Sequence, residues 1–505
     1  MRTSMGRMNR DDMIAKIDHF PKDWDVIIIG GGATGLGAAV DSASRGFRTL
    51  LLEQGDFAKG TSSRSTKLIH GGLRYLQQGN IALVTEALRE RGILSKNAPH
   101  LIHHIPFLVP IYHWWEGPFY GAGLKIYDML AGKLGIKPSK RLSRRQTLKK
   151  IPALEPKGLR GGIIYYDGQF DDSRLAIALA QTAVDRGAIV INYMKVTHLI
   201  KKKGICTGVK AIDEETGKPY KLYGKAIINA AGVFSDAIRK MDDERERNMI
   251  SASRGIHIVL DKSFQPSQNA ILVPHTEDKR VIFIVPWHDR ILVGTTDTHV
   301  KKTTLEPRPS NKEIHFLLRC VAQYLVKDPK KEDILSVFAG LRPLIKNKHK
   351  KNTAALSRDH TILISKSGLI TVTGGKWTIY RKMGEDAIDK AILVADLPDR
   401  PCVTKKLRLH ELDSDIKQTQ SGQLLHPRLP YSKEDVLQGV KLEMARTVED
   451  ILARRTRALL LDARASMEIA PEVAKMMAKE LGRDIKWQKK QITAYLRLAK
   501  GYVIK

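Results

Sequence analysis

The sequence predicts an α/β fold with a helical C-terminal part, and three observations lead to that prediction. An apolar run near the N-terminus continues into a glycine-rich turn, alternating apolar residues occur in the middle of the chain, and 3.6-residue apolar periodicity marks its end. A chain of 505 residues is too long for one compact core, so two or three domains are expected. We predict an N-terminal extension at 1–23, a discontinuous α/β body at 24–395 and a helical domain at 396–505.

The first element of the body has the pattern of a dinucleotide-binding unit. An apolar strand at 26–29 is followed by a turn with Gly30, Gly32 and Gly35, and small residues continue into a helix. In such a unit the first glycine tightens the turn, the second lets the backbone approach a pyrophosphate, and the third lets the helix pack against the strand. Glu53 ends the next apolar run, where a carboxylate can accept hydrogen bonds from a ribose. The glycines alone also suit a turn without a ligand, but the whole unit favours nucleotide binding.

The remaining elements follow from apolar spacing, caps and turn residues. We predict a helix at 81–94, an insertion at about 100–150 and a helix from 172 to 186. Strands are predicted at 189–193, 204–211, 220–223, 226–230 and 369–375, and an antiparallel sheet at 256–260, 281–286 and 291–294. A helix at 377–390 and a polar linker at about 396–432 lead into the helical tail.

Composition narrows the class of protein. Apolar residues make up 42% of the chain and charged residues 28%, which is typical of a folded and not of a disordered protein. The three cysteines form no CxxC motif and no zinc-spaced cluster, so we expect a reduced, cytosolic setting and no metal site. The first residues lack the apolar core of a secretion signal, and we expect a loosely ordered surface extension there.

The chain is strongly basic, with 85 Lys and Arg residues against 54 Asp and Glu and a net charge of +31. This excess predicts attraction to a polyanion such as nucleic acid, anionic lipid or an anionic substrate. It is concentrated at 137–150, at 346–351 and after 479, although any single run also suits a solvated surface. The aromatic, proline-interrupted segment 105–130 lies just before the first basic run. It suits either contact with an anionic bilayer or packing in the core, and the sequence leaves both open.

Seven further motifs occur in a fixed order along the chain. They read GTSSRSTKLIHGGLRYL at 60–76, SRGIHIV at 253–259, VPWHDRILVGTTDT at 285–298, AGLRPL at 339–344, SRDH at 357–360, VTGGKWTIYRKMGEDAID at 372–389 and EMARTVEDILARRTRALLLDARAS at 443–466. Together with the glycine turn, they resemble the FAD-dependent glycerol-3-phosphate dehydrogenase family, the membrane-associated respiratory kind. The resemblance covers nearly the whole chain. It implies a Rossmann-like FAD-binding domain interleaved with an antiparallel-sheet substrate domain, plus a helical C-terminal domain.

The same resemblance implies noncovalently bound FAD. The implied contacts come from the glycine turn, the 60–76 motif, the small-residue turn at 229–232 and the 372–389 motif. They are Gly30, Gly32, Gly35, Glu53, Thr61, Ser62, Ser65, Lys67, His70, Gly71, Gly72, Gly232, Gly374, Gly375 and Thr378. The turn at 229–232 reads NAAG, a mild departure from the threonine-glycine-proline more common in the family. The glycine pair at 374–375 would aim backbone N–H groups at the flavin, where negative charge accumulates on reduction.

A pocket for a phosphate dianion is also implied by the resemblance. Its residues are Arg74, Arg342, Arg358 and Lys376, with Tyr75 beside them. Arginine suits this role because its planar guanidinium donates paired hydrogen bonds to phosphate oxygens.

Oxidation of a secondary alcohol also needs a base near the hydroxyl. His257 and His70 are the candidates because imidazole titrates near neutrality. We prefer His257, since the alternation of its strand directs it toward the substrate, whereas His70 precedes two glycines and suits the flavin wall. The alternative for either histidine is a hydrogen bond that anchors a loop.

The resemblance thus implies oxidation of sn-glycerol 3-phosphate to dihydroxyacetone phosphate, with electrons passed to a membrane quinone. We expect a cytoplasmic protein, peripherally bound to the anionic inner face of the cell membrane, and a homodimer is possible. An oxidase that passes electrons to O2 and makes H2O2 is the first alternative. A flavin-binding RNA-associated or scaffold protein is a distant one, and we expect no nucleic-acid partner because aromatic and basic residues are not interleaved.

Overall fold

The structure is a computed structural model that describes residues 8–19, 23–77, 79–274, 276, 280–346, 359–411 and 423–504, apart from the side chains of Arg74 and Gln77. Within these ranges the α-helices are α1 (Arg10–Asp18), α2 (Ala33–Ser44), α3 (Leu73–Gln77), α4 (Ile81–Asn97), α5 (Glu116–Ala131), α6 (Arg144–Lys150), α7 (Asp172–Asp185), α8 (Ser235–Asp242), α9 (Asn311–Ala322), α10 (Tyr380–Val394), α11 (Lys433–Leu442), α12 (Val448–Asp450), α13 (Ala458–Leu461), α14 (Ala463–Glu480) and α15 (Ile485–Ala499).

The strands form two large sheets and one small hairpin. They are β1 (Trp24–Ile29), β2 (Thr49–Leu52), β3 (Leu68–Ile69), β4 (Ile102–Ile111), β5 (Lys140–Ser143), β6 (Gly161–Phe170), β7 (Ile189–Ile191), β8 (Met194–Lys202), β9 (Ile205–Asp213), β10 (Pro219–Asn229), β11 (Ile250–Asp261), β12 (Ala270–Val273), β13 (Ile282–Trp287), β14 (Arg290–Gly294), β15 (Thr298–His299), β16 (Ile334–Ile345), β17 (His360–Ile364), β18 (Ile370–Gly374), β19 (Leu424–His426) and β20 (Leu429–Ser432).

The first sheet is the predicted dinucleotide-binding sheet. Its order is β17-β18-β10-β1-β2-β7, parallel except for the β17–β18 pair, and β9 and β8 extend β10 as an antiparallel ribbon. All four residues of β2 are buried, as expected for a parallel strand covered on both faces. Helix α2 contacts both α7 and α10 beside this sheet. The carboxyl ends of β1 and β10 lie side by side, with Ile29 opposite Asn229, and form the edge at which a ligand can bind.

The second sheet is mainly antiparallel and carries a core on each face. Its order is β15-β11-β14-β13-β12-β4-β6-β3, with β16 beside β11 and β5 beside β6, and only the β12–β4 pair is parallel among the pairs described. On one face, Ile256 and Ile258 pack with Leu317 of α9. On the other, Phe107 of β4 packs with Leu124 of α5. Alternation along the strands therefore divides the apolar residues between the two faces.

The prediction of an insertion at 100–150 is wrong for its first part. Strand β4 pairs with β6 over ten residues, from Ile102 opposite Phe170 to Ile111 opposite Gly161. It also pairs with β12, so it lies inside the second sheet. The aromatic content of 105–111 reflects this position.

The helical C-terminal part packs onto the second sheet, because Val259, Trp287 and Phe338 share one apolar core with α11–α15. The segment predicted as a polar linker is only partly one. Leu407 and Leu409 are buried in the core of the first sheet. Residues 412–422 of that segment lie outside the described ranges.

The N-terminal extension contains a docked helix, contrary to the loose order expected of it. Met13 of α1 is buried, and Arg10 donates to the Asp213 carboxylate at 2.7 Å and to the Asn192 carbonyl at 3.1 Å. This ion pair is buried and joins residues that are distant in sequence. The helix is therefore docked by a tertiary contact that the local sequence does not indicate.

Candidate active site

A deep cavity lies between the two sheets. Its wall takes residues from the turn after β1, the 58–75 segment, β11, β13, β16 and the segment after β18. Of the predicted cofactor contacts, the wall includes Gly30, Gly32, Glu53, Thr61, Ser62, Ser65, His70, Gly72, Gly232, Gly374, Gly375 and Thr378. Of the predicted substrate and catalytic residues, it includes Tyr75, His257, Arg342 and Lys376.

The glycine turn has the geometry that a bound pyrophosphate requires. Gly30 has φ +113°, and a Cβ there would lie 2.6 Å from the Ala230 carbonyl oxygen. A Cβ on Gly35 would overlap the carbonyl oxygen of Gly30, so Gly35 serves packing and not contact with a ligand. A Cβ on Gly32 would meet only the Ser62 hydroxyl, at 3.1 Å. A Cβ on Gly32 would therefore press on one side-chain oxygen and on no backbone atom, and Gly32 lies on the cavity side, where a ligand can approach the backbone.

Glu53 organises this turn. One carboxylate oxygen accepts the Gly31 N–H at 2.6 Å and the other accepts the Gly55 N–H at 2.8 Å. Burial raises the pKa of Glu53 above its ordinary value, although the two backbone donors oppose that shift. Each oxygen keeps acceptor capacity, so contact with a ribose hydroxyl remains compatible with this geometry.

The 61–65 segment connects the glycine turn to the second sheet. Ser62 accepts the Ala33 N–H at the start of α2 at 3.0 Å, and its carbonyl accepts the Trp377 indole N–H at 2.9 Å. Thr61 donates to the Leu341 carbonyl at 2.6 Å. The predicted hydroxyls are therefore held in place by the protein while they line the cavity.

Lys67 and Gly71 lie behind the wall and not on it. Lys67 is fully buried, and its ammonium donates to the Asp172 carboxylate at 2.6 Å and to the Ser63 carbonyl at 2.9 Å. Burial lowers the pKa of Lys67 despite the charge of Asp172. Neither residue is part of the cavity wall, so any effect of these two residues on a ligand there would pass through their neighbours.

Two of the predicted phosphate cations lie on the same wall. The Lys376 ammonium is 3.8 Å from the centre of the Tyr75 ring, a cation–π contact. Arg342 donates to the Thr296 carbonyl at 3.1 Å and to the Thr295 hydroxyl at 3.0 Å, which fixes the orientation of its guanidinium. Arg74 lies on α3 with its side chain outside the description, and Arg358 lies outside the described residues.

The two candidate bases occupy different surroundings. His257 is buried, its Nε2 lies 2.9 Å from the Thr66 hydroxyl, and its ring stacks on Phe338. Burial, and then the charges of Lys67 and Arg342, hold the pKa of His257 well below 6.5, so its imidazole is neutral near pH 7. His70 exchanges backbone hydrogen bonds with the Thr378 hydroxyl, both at 3.3 Å.

Comparison with known proteins agrees with this geometry. The profile of the family described as FAD dependent oxidoreductase matches residues 25–381, and that of the C-terminal domain of alpha-glycerophosphate oxidase matches residues 404–491. A probable mitochondrial glycerol-3-phosphate dehydrogenase of Caenorhabditis elegans is 39% identical over 95% of this chain and 73% of its own length. The mitochondrial glycerol-3-phosphate dehydrogenase of Homo sapiens is 38% identical over 92% of this chain and 71% of its own. The chain belongs to the FAD-dependent glycerol-3-phosphate dehydrogenase family.

A solved structure extends the family relationship to the whole fold. The glycerol-3-phosphate dehydrogenase of Bacillus halodurans, complexed with FAD, superposes with a TM-score of 0.79 and 29% identity, covering 98% of this chain and 97% of that one. The L-alpha-glycerophosphate oxidase of Mycoplasma pneumoniae superposes with a TM-score of 0.59 and 18% identity over 77% of this chain. The likeness to the oxidase concerns the fold alone.

FAD, the cofactor of this family, fits the residues of the wall. The turn at 30–35 leaves the space a pyrophosphate needs, and the backbone at Gly374 and Gly375 has φ of +82° and +72°. These two glycines precede a 3-10 turn, Trp377–Ile379, and α10 begins only at Tyr380. The expected helix amino end therefore lies one turn later, and the glycine pair itself lines the cavity.

Sequence reasoning missed several residues of the wall. Arg64 and Arg280 add cationic side chains, Asp167 adds a carboxyl group, and Tyr120 and Tyr165 add aromatic rings. Arg64 stands inside the 60–76 motif, and its guanidinium pairs with Glu306. The other four lie on elements that only tertiary pairing brings to the cavity, so local spacing carried no signal for them.

Proposed function

We propose that this member of the family oxidises sn-glycerol 3-phosphate to dihydroxyacetone phosphate and passes the electrons to a membrane quinone. The observation that carries the proposal is the juxtaposition of Arg342, Lys376 and Tyr75 with the dinucleotide-type turn in one cavity. Family membership supports the same substrate. A dianionic head group needs several fixed cations, and these side chains come from separate elements whose positions the fold determines.

The cations orient the substrate. Arg342 is held by the Thr295 hydroxyl and the Thr296 carbonyl, so its guanidinium has a fixed orientation in the cavity wall. Lys376 above the Tyr75 ring adds a second positive charge. Binding of the phosphate by these cations would hold one end of the substrate in a fixed position in the cavity and so restrict where its secondary alcohol can lie.

We propose that His257 is the base that takes the proton from the substrate. A neutral imidazole can accept the proton of the C2 hydroxyl, and the low pKa of His257 keeps that form populated near neutrality. Its Nδ1 is buried and has no hydrogen-bond partner among the described residues, which costs roughly 1–3 kcal/mol unless a ligand or water bonds to it. When FAD is bound, its flavin supplies the acceptor for the hydride from C2. His70 is better suited to support the flavin wall.

The membrane proposal rests on helix α5 and the basic strand β5 beside it. The inner side of α5 contributes Tyr120 to the cavity wall. Trp114, just before the helix, is 75% exposed, and Phe119 and Met129 on the helix are 53% and 72% exposed. An apolar helix face next to exposed cations suits a bilayer surface with anionic headgroups. In the described part of the chain, no helix is long and apolar enough to cross a membrane. We therefore propose peripheral association, with the inner face of the cell membrane as its location.

The basic strand is held directly against α5. The Lys125 ammonium donates to the Ser139 carbonyl at 2.8 Å, and Ser139 donates to the Asp128 carboxylate. The following residues Lys140 and Arg141 are exposed. We therefore propose that the two interpretations of segment 105–130 hold for different parts of it, with strand β4 packed in the core and the exposed side of α5 in contact with the bilayer.

Anaerobic titration tests the reaction and its electron acceptor. Addition of sn-glycerol 3-phosphate to the FAD-loaded protein should bleach the yellow absorbance, whereas glycerol at the same concentration should bleach it far more slowly. A short-chain quinone should then restore the colour much faster than air does. Faster recovery in air, with H2O2 formed, would show an oxidase. No bleaching would contradict the proposed substrate.

The phosphate contact is tested by Arg342→Ala. Loss of a charge-assisted contact to a buried dianion should lower kcat/KM by a factor that corresponds to about 2–4 kcal/mol of transition-state binding energy. Turnover of glycerol, which lacks the phosphate, should change far less. Arg245→Ala is the matched control because Arg245 is exposed and pairs only with Asp243 among the described residues. Equal kinetics for the two variants would remove Arg342 from the site.

A further inference from the structure

A buried chain of polar groups runs from helix α4 to the glycine turn at 71–72. The Gly71 N–H donates to the Tyr127 hydroxyl at 2.8 Å, and that hydroxyl donates to the Asp167 carboxylate at 2.6 Å. Arg91 donates to the other oxygen of Asp167 at 2.7 Å. The side chains of Arg91 and Asp167 are 2% and 4% exposed, so water does not substitute for these contacts.

The direction of the hydrogen bonds follows from the protonation states. Burial, and then the charge of Asp167, raises the pKa of Tyr127 well above its ordinary value, so the phenol keeps its proton. Burial also raises the pKa of Asp167, although Arg91 and Tyr127 oppose the shift. Tyr127 therefore donates to Asp167 and has a lone pair left for the Gly71 N–H.

The packing leaves the turn little freedom. A Cβ on Gly71 would lie 2.7 Å from the Tyr127 oxygen and 2.7 Å from a methyl group of Leu88. Gly72 follows with φ +86°, and its carbonyl accepts the Tyr75 N–H at 2.8 Å. The position of the turn thus determines where α3 begins, and with it the Tyr75 ring under Lys376.

We propose that Tyr127 is a positioning residue for the substrate phosphate. Its hydroxyl, oriented by Asp167 and Arg91, holds the 71–72 turn so that Tyr75 and Lys376 meet the phosphate in one geometry. The proposal rests on the proposed function for the identity of the substrate. It assigns to Tyr127 a role without direct contact with the substrate or cofactor, since Tyr127 acts through the Gly71 amide.

Tyr127→Phe is the direct test because it keeps the ring and removes the hydroxyl alone. The FAD-loaded variant should bind dihydroxyacetone phosphate roughly tenfold more weakly or worse, measured from the change in flavin absorbance, since small misplacements are costly in such sites. The KM for sn-glycerol 3-phosphate should rise by a similar factor, and slow turnover of glycerol should stay the same. Tyr112→Phe is the matched control, because it also removes a hydrogen-bonded hydroxyl, one that donates to the Glu155 carbonyl at 2.8 Å, from a half-buried side chain that is not part of the cavity wall.

Two further measurements keep the test decisive. If the polar chain acts as one unit, Tyr127→Phe combined with Asp167→Asn should lose no more phosphate affinity than the worse single variant. Unchanged affinity in Tyr127→Phe, or equal losses for phosphate-bearing ligands and glycerol, would overturn the positioning role. Failure of the unmodified protein to bind dihydroxyacetone phosphate would instead overturn the proposed function, so the two failures are distinguishable.

Discussion

At the scale of single residues, we expect Gly32 to matter for cofactor binding and not for the fold. A Cβ at this position meets only the Ser62 hydroxyl, whereas Cβ atoms at Gly30 and Gly35 would strike backbone. We therefore expect Gly32→Ala to fold with an unchanged melting temperature as apoprotein and to lose most of its FAD, measured by absorbance after gel filtration. Gly123→Ala, a substitution into open space, should retain the cofactor. A fully loaded Gly32→Ala variant would contradict the assignment of this turn.

His257 makes a second prediction at the same scale, about pH. Its pKa in the folded protein lies well below 6.5, so below that pH the unfolded chain binds a proton that the folded chain does not. The folded state is therefore fully stabilised above the unfolded pKa and loses up to about 1.4 kcal/mol per pH unit below it. His257→Gln should show a smaller fall in melting temperature between about pH 7.5 and about pH 5.5. An identical fall in both proteins would show that the imidazole is not held neutral.

At the scale of elements, the turn after α12 attaches the C-terminal helices to the dinucleotide-binding sheet. Arg454 and Arg455 both donate to the buried carboxylate of Asp56, at 2.5 and 2.7 Å. Burial raises the pKa of Asp56, but the charges of Arg455 and Arg454 outweigh it and hold the pKa below its ordinary value. Asp56 follows Glu53 by three residues in the sequence, so this contact links the tail to the cofactor turn.

Asp56→Asn should be strongly destabilising, because it removes the carboxylate charge that two buried guanidinium groups share. The expected loss is about 3–5 kcal/mol, the usual effect of breaking a buried ion pair. Thermal unfolding followed by flavin fluorescence and by circular dichroism should show earlier FAD release. Lys433→Ala, which removes a half-exposed pair with Glu472, should change stability by less than about 1 kcal/mol. A small effect for both variants would mean that the tail is held mainly by its apolar core.

At the scale of the whole molecule, the charge of +31 and the exposed side of α5 predict a peripheral membrane protein. Co-sedimentation with vesicles should require anionic lipid and weaken as salt shortens the Debye length. Part of the binding should persist at high salt, because salt does not screen the contact of the apolar face. Neutralising Lys140, Arg141, Arg144 and Arg145, all exposed, should move the protein to the soluble fraction and leave activity with a water-soluble dye intact. Equal binding to neutral and anionic vesicles at every salt concentration would refute the electrostatic part.

Those parts of the fold that depend on neighbours in sequence could be predicted from the chain alone. The strand, glycine turn, helix and second strand at 24–52 obey rules of backbone geometry within one supersecondary unit, and the structure has them where they were expected. The antiparallel strands around His257 follow from alternation in the same way. The family motifs then identified the cations Arg342 and Lys376, because each lies in a short segment that can be matched residue by residue to a motif of the family.

Contacts between residues distant in sequence were decided only by tertiary structure. Lys67 stands in a cofactor motif but is drawn behind the wall by Asp172, 105 residues away. Asp167 reaches the cavity wall, and Tyr127 reaches Asp167, only because β6 pairs with β4 and α5 covers that sheet. No local periodicity records such pairings, because burial and hydrogen bonding depend on which surfaces meet after the chain has folded.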